Sequence, residues 1–441
     1  MESRVVKLVW ICNFSNVAVR SKLHFSIGPV EKFLRKILHK NIELGSQSDI
    51  AQWISNGIEV IERRSDLKLY VISPHSFISS SLQKFDIGGV EYFFFRDLHG
   101  VMQRKLYGFF SSYRKYCDRK NGKRIISIVN SINPCVVNLI GAENPSYAFA
   151  GLYLDLKKNP LLVTMQTLMC DPSFKDNYPI KAKEYNYRAN IEKMILKRAR
   201  FISTGIYAYA TYVWNNINSD AIIFEGTLAV GEKLHLNVSA KKYDFVFFAR
   251  DISKGAIDAL NAFFIARKEQ PTITLNIVGG CSSEFRSILE REVKKSDYQD
   301  SVIISGLLPT HEDVLRQIAL SKFALLPLRF DAVSGTIREA MSCGIPVLTS
   351  STVGTPILNA NRQSVLLSPV GDSEAMANNM CKLIHSPQLA NTLRDNAIVT
   401  FQELYSNNEI GDRLIKIYKA IDNNVTFGVP IPKELARHIS N

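Results

Sequence analysis

Two doubly wound parallel α/β sheets are the fold class that this sequence predicts, and three observations predict it. Short apolar runs alternate with helical stretches along the chain, the signature of parallel strands joined by crossover helices. In the second half these runs recur at intervals of roughly 20 to 30 residues, enough for one strand and one crossover helix. At 441 residues the chain exceeds what one hydrophobic core usually supports, and its 46% apolar content suffices to fill two.

In the first half, strands are expected at Val5–Cys12, Lys68–Ile72, Tyr92–Phe95, Cys135–Ile140, Leu161–Met165, Phe201–Thr204 and Ile222–Phe224. Asp49–Arg64 is expected to be a helix, because Ile50, Trp53, Ile54, Ile58 and Ile61 recur on one face, with Asp49 as N-cap. Tyr185–Arg200 is a second helix. The second half has strands near residues 245, 275, 303, 325 and 347, and its tail from about Asn407 is helical. A linker is placed near Leu228–Lys242, which divides the chain into domains at 1–235 and 236–410, followed by a tail at 411–441.

Composition narrows the function classes. The apolar run at the N-terminus, MESRVVKLVWICNF, is interrupted by Lys7 and has no small-residue cleavage site, so it reads as a first strand rather than a signal peptide. No segment approaches the ~18 uninterrupted apolar residues of a membrane span. A soluble or peripheral protein is expected. The seven cysteines contain no C-x-x-C pair and lie mostly inside apolar runs, which suggests core thiols in a reducing compartment. The eight histidines show no ligand spacing such as H-x-x-x-H, and no bound metal is expected.

The charge is uneven. Residues 1–240 carry 32 Lys and Arg against 20 Asp and Glu, a net +12, whereas 241–441 carry 22 against 21, a net +1. The densest stretch, Arg104–Arg124, interleaves Arg104, Lys105, Arg114, Lys115, Lys120 and Lys123 with Tyr107, Phe109, Phe110, Tyr113 and Tyr116. Such a stretch suits an anionic bilayer surface; equally, it suits a solvated helix face with its aromatics in the core. Nucleic acid is not the expected partner, since no helix-turn-helix, RRM or zinc-finger pattern accompanies the charge.

The most informative segment is Leu325–Thr349, LLPLRFDAVSGTIREAMSCGIPVLT, in which a strand runs through a turn and a short helix into another strand. Asp331 and Glu339, with seven residues between them, flank the turn Ser334-Gly335-Thr336. A helix start beside a glycine leaves backbone N–H groups free to face an anion, and the helix dipole favours negative charge there. Thr336 and Glu339 also fit a capping box, in which the Glu merely returns a hydrogen bond to the N-cap. Upstream, Asp244–Gly255 (DFVFFARDISKG) ends a strand in Arg250 and leads to Lys254-Gly255 at a helix start. An Arg fork and a Lys point charge together suit a diphosphate.

These elements together resemble glycosyltransferase family 4, the retaining group 1 glycosyltransferases. Arg250 and Lys254-Gly255 are similar to the family's R…KG element, Leu275–Gly280 (LNIVGG) to its glycine-ended strand, and Val302–Gly306 (VIISG) to the next strand. Asp331–Pro346 is similar to its E-x7-E segment. The resemblance runs in the family's order from Asp244 to Asp372. It implies a GT-B fold, two Rossmann-like domains facing across a cleft, with an acceptor-binding N-terminal domain, a nucleotide-sugar-binding C-terminal domain and a terminal helix that can return to the first domain. It implies that Arg250 and Lys254 bind the donor diphosphate with Ser334, Gly335 and Thr336. Glu339 would hold the ribose, Asp331 the donor sugar, and Gly279-Gly280 the turn of the nucleotide domain. Asp331 departs from the usual Glu by one methylene.

The N-terminal half resembles the family more loosely. Asn138 and Ile140 stand where many members have histidines, and Gln166 stands where an active-site His is common. Gln cannot donate a proton as an imidazolium would, but its amide can hydrogen-bond a sugar hydroxyl. Gln166 and Glu143-Asn144 are therefore site candidates, with a satisfied polar strand end as the other reading. The resemblance implies metal-independent transfer of a hexosyl group from a nucleotide diphosphate sugar, with retention and without a further cofactor. The acceptor would be a sugar or lipid-linked oligosaccharide, in cell-surface polysaccharide assembly at the cytoplasmic face of the membrane. A GT-B epimerase, a non-catalytic sugar-nucleotide binder and a membrane adaptor are the other readings.

Overall fold

The structure, a computed structural model, describes residues 4–27, 32–33, 36–37, 49–99, 111–172, 175, 182–226, 240–329 and 333–438. The expected linker at 228–242 falls almost wholly outside them. The described residues form two compact units, one built from those up to 226 together with 410–438, the other from 240–409. Residues 411–438, expected as a helical tail that can return to the first domain, group with the first unit.

Helices α1 (Val17–Lys22), α2 (Gln52–Glu62), α3 (Ser111–Ile132), α4 (Pro145–Ala148), α5 (Ala182–Arg198) and α6 (Tyr207–Asn216) lie in the first half. They are followed by α7 (Ala256–Glu269), α8 (Ser283–Lys295), α9 (His311–Ala319), α10 (Gly335–Ser342), α11 (Ser373–His385), α12 (Pro387–Tyr405) and α13 (Asn407–Phe427). The predicted start of α2 is corrected. Its N-cap is Ala51, in the left-handed region, while Asp49 is instead ion-paired with Arg20 at 2.7 Å.

The sheet of the first unit contains β1 (Val6–Ile11), β2 (Leu67–His75), β3 (Leu82–Ile87), β4 (Val90–Arg96), β5 (Val136–Ile140), β6 (Leu161–Thr164), β7 (Phe201–Thr204), β8 (Ile222–Glu225) and β15 (Ala436–His438). Its order is β15-β8-β7-β6-β5-β1-β2-β4-β3, with β8 to β4 parallel and the two edge strands antiparallel. The edge strands β3 and β15 were not anticipated.

β1 shows why the sheet is covered on both sides. Leu8, Trp10 and Cys12 enter one core, shared with Ile54, Ile58 and Ile61 of α2 and Leu414, Ile417, Tyr418 and Ile421 of α13. Val9 and Ile11 enter a second core, with Ile125 and Val129 of α3 and Ile191 and Ile195 of α5. A strand buried on both faces reads as a continuous apolar run, which is how Leu8–Ile11 of β1 reads. One polar chain crosses the first core: Thr164 Oγ1 donates to Asn138 Oδ1 at 2.8 Å, and Asn138 Nδ2 donates to Tyr418 Oη at 2.7 Å. Asn138 is therefore a fully buried anchor for α13.

The second unit has the parallel order β11-β10-β9-β12-β13-β14, from β9 (Tyr243–Asp251), β10 (Leu275–Gly280), β11 (Val302–Gly306), β12 (Ser321–Leu326), β13 (Val347–Ser350) and the unanticipated β14 (Val365–Ser368). The chain fills one side of β9 and then the other, so strand order reverses between β9 and β12. Ligands of open α/β sheets bind outside the carboxyl ends of strands at such a reversal.

Removing the hydroxyl in Tyr418→Phe leaves the buried Asn138 amide short of an acceptor. The expected loss is about 1–3 kcal/mol, the desolvation penalty of an orphaned buried donor, measured as a lower denaturation midpoint for the first unit.

Candidate functional site

In the second unit the segments following β9 and β12 carry most of the expected donor residues. Arg250 lies exposed at the end of β9 and Lys254 is half-buried in the short turn Ile252–Lys254. Asp251 caps that turn, its Oδ1 accepting the Ser253 N–H at 3.1 Å, and α7 starts two residues after Lys254. Two cations thus stand beside a helix N-terminus, where an anion is favoured.

Gly279 and Gly280 shape the neighbouring strand end. Gly279 has φ +137°, and a Cβ built there would fall 1.7 Å from the carbonyl oxygen of Ala249, so glycine is required for β10 to pack against β9. The register shifts at this point, which leaves Gly280 opposite Asp251.

After β12, Ser334 is the N-cap of α10: its Oγ accepts the Ile337 N–H at 3.3 Å and contacts Thr336 Oγ1 at 2.8 Å. The capping box from Thr336 to Glu339 is not formed. Gly335 and Thr336 are the first two helical positions, and their N–H groups have no partner within a helix. Glu339, the fifth residue of α10, has its Oε1 3.0 Å from His311 Nε2. Beside this turn, Arg329 forms a two-pronged pair with Asp258 of α7, at 2.6 and 2.7 Å, which ties the exit of β12 to the helix after Arg250. Asp331 lies outside the described residues.

In the first unit, Glu143 follows β5 and Gln166 follows the neighbouring β6. Gln166 is half-buried; Glu143 is buried, in a turn whose Glu143 carbonyl accepts Arg188 Nε at 2.7 Å. Asn144 caps α4. The segment after Gln166 is tethered by α5: Glu192 Oε2 accepts the Cys170 N–H at 2.7 Å, and the Tyr185 hydroxyl donates to the Met169 carbonyl. Glu192 is fully buried, and burial, together with the negative charge of Glu143, pushes its carboxyl up to about 8. The same burial raises the Cys170 thiol, with a further push from Glu192.

The basic stretch divides. Arg104 and Lys105 lie outside the described residues. Arg114 is corrected as a surface cation, since it is 12% exposed, paired with Glu184 and set 4.1 Å over the Tyr187 ring. Lys115, Lys120 and Lys123 are exposed, and Tyr113 and Tyr116 stack on each other in solvent with Lys120 Nζ 4.9 Å above the Tyr116 ring. These aromatics are not core residues.

His311 and Glu192 were not singled out by the sequence. Their partners lie 28 and 49 residues away in the chain, on other elements, and no local spacing encodes such contacts. Among the described residues no group of three or more His, Cys, Asp or Glu could hold a metal ion, and no helix is long and apolar enough to cross a membrane.

A strand-order reversal flanked by two cations and a capped helix start is a setting in which open α/β sheets receive anionic ligands, and comparison with known proteins bears on the class. Residues 242–386 match the family described as Glycosyl transferases group 1. Alpha-D-kanosaminyltransferase of Streptomyces kanamyceticus is 26% identical over 136 residues, which span 31% of this chain and 35% of that enzyme. The chain thus aligns with only about a third of that curated relative. Among solved structures, sucrose-phosphate synthase from Thermosynechococcus elongatus superposes with a TM-score of 0.67 at 16% identity, covering 94% of this chain and 98% of that one. Anabaena HepE in complex with UDP and glucose gives 0.61 at 12% identity, covering 94% and 100%. The two parallel-sheet units have the GT-B fold.

Glu192 makes a pH-dependent contribution to stability. Its folded value near 8 exceeds its ordinary 4.5, so the folded state holds a proton that the unfolded state releases, and the contribution is full below 4.5 and lost as pH rises through 8. Glu192→Gln, which keeps an acceptor for the Cys170 N–H, is expected to melt progressively higher than wild type as pH rises from about 5 to about 9. Parallel melting curves across that range would sink the assignment.

Proposed function

We propose that the protein is a retaining glycosyltransferase that moves a hexosyl group from a nucleotide diphosphate sugar to a sugar or lipid-linked oligosaccharide. One observation carries the reading: Arg250 and Lys254 after β9, and the α10 start with Glu339 after β12, meet at the strand-order reversal of a group 1 glycosyltransferase unit. The HepE structure, which holds UDP and glucose in the same fold, supports the donor class.

In this reading the cations and the N–H groups of Gly335 and Thr336 face the diphosphate, Glu339 accepts from the ribose hydroxyls, and Asp331 meets the donor sugar. The bond from the sugar C1 to the phosphate oxygen breaks as the bond to the acceptor oxygen forms on the same face. The acceptor proton passes to the departing phosphate. Charge that builds on the leaving diphosphate is met by groups already in place, which is electrostatic catalysis and calls for no metal. Gln166 and Glu143 are assigned to acceptor hydroxyls at the end of the first-unit sheet.

The excess of twelve positive charges in residues 1–240 favours an anionic acceptor such as a lipid-linked diphosphate, in the assembly of a cell-surface polysaccharide. The exposed Tyr113, Lys115, Tyr116, Lys120 and Lys123 face of α3 then rests on the inner leaflet. Vesicles containing anionic lipid are expected to sediment the protein at low salt and release it at high salt. Replacing Lys115, Lys120 and Lys123 together by Gln is expected to remove most of that binding, and retention at low salt by the triple variant would discard this surface.

The donor site is tested by a thermal-shift screen of nucleoside diphosphates and their sugars. One nucleotide is expected to raise the melting temperature of wild type, because a ligand that binds only the folded state stabilises it by mass action. Arg250→Ala and Glu339→Ala are each expected to weaken that nucleotide about tenfold or more, the loss of one charge-assisted contact. No shift with any nucleotide at millimolar concentration would overturn the reading.

A further inference from the structure

His311 is the residue that the functional reading leaves unexplained. It occupies the first helical position of α9, and a complete capping box fixes its backbone: Thr310 Oγ1 accepts the Asp313 N–H at 3.1 Å, and Asp313 Oδ2 accepts the Thr310 N–H at 3.2 Å. Glu312 and Asp313 already supply the negative charge that a helix start favours. An imidazole adds nothing to a start already capped and charged in this way, so its placement is not explained by α9. The carboxylate that it meets belongs to α10, where His311 Nε2 stands 3.0 Å from Glu339 Oε1. The two side chains are 21% and 16% exposed, sheltered enough for the contact to persist and open enough for a ligand to reach.

We infer that His311 is a positioning residue that holds the Glu339 carboxylate for the ribose hydroxyls of a nucleotide. The inference rests on the donor-site reading and deepens it. An ionised carboxylate is an acceptor through both oxygens, and ribose presents two hydroxyl donors. With Oε1 met by His311, Oε2 is left to accept from the incoming sugar, on a side chain that the imidazole already holds. A glutamate held by nothing would surrender rotamer freedom when the ribose arrives, and that loss would weaken binding. The imidazole removes it in advance.

The test is calorimetric titration of wild type, His311→Ala and His311→Gln with UDP, GDP and ADP, and with the 2′,3′-dideoxy form of whichever binds. His311→Ala is expected to bind the ribonucleotide about tenfold more weakly while its affinity for the dideoxy form changes less than about twofold, because the lost contact serves only the hydroxyls. His311→Gln, whose amide can still donate to the carboxylate, is expected to recover the ribonucleotide to within about threefold. Unchanged or tighter ribonucleotide binding by His311→Ala overturns the inference and leaves the donor site standing. Equal losses for the two sugar forms also overturn it, since they mark general damage to the unit. Failure of wild type to bind any of the three nucleotides overturns the donor-site reading, and this inference falls with it.

Discussion

The pairing of β9 with β12 is the constraint on which the second unit depends. Both strands run parallel, so both release their chain at the same end, and the chain leaves them toward opposite sides of the sheet. The cations after β9 and the α10 start after β12 are brought to one place by that pairing rather than by direct contact. Gly279 belongs to the same constraint, since any larger residue would push β10 off the carbonyl of Ala249 and disturb the strand end that presents Arg250. The Arg329–Asp258 pair then ties the two exits to each other across that edge.

The first unit solves a different problem. Its sheet offers two apolar faces, and α13 covers part of one of them through Leu414, Ile417, Tyr418 and Ile421. Burial of aliphatic side chains is not directional and would tolerate a helix shifted along its axis. The Thr164–Asn138–Tyr418 chain is directional, and it fixes where α13 sits. Asn138 is thereby a structural residue, while Gln166 and Glu143 lie at neighbouring strand ends.

Strands that are buried on both faces were legible because each carries an apolar run, as in Leu8–Ile11 of β1 and Phe245–Phe248 of β9. β3 was not, since it is an edge strand whose residues alternate between exposed and half-buried and whose face is polar; only its Gly88-Gly89 turn hints at a hairpin. β14 follows the last recognised motif and is four residues long, and β15 is a three-residue edge. At the site, residues that sit beside their own strand end, such as Arg250, Lys254 and Ser334, were readable from strand-turn-helix order. His311 and Glu192 were not, because their roles arise from partners on other elements, and α10 took Ser334 rather than Thr336 as its cap, a choice one turn of chain geometry makes and spacing alone does not.

The path of the chain has a consequence for how the molecule is made. The first unit is written in two instalments, with the whole second unit between them, so its sheet must wait through about 180 further residues before α13 and β15 arrive. At a ribosomal pace of ~5–20 residues per second that is on the order of ten to forty seconds during which Leu8, Trp10, Phe201 and Phe224 lack their last cover. The second unit, continuous in the chain, can close first. The half that begins first is therefore the half that is finished latest.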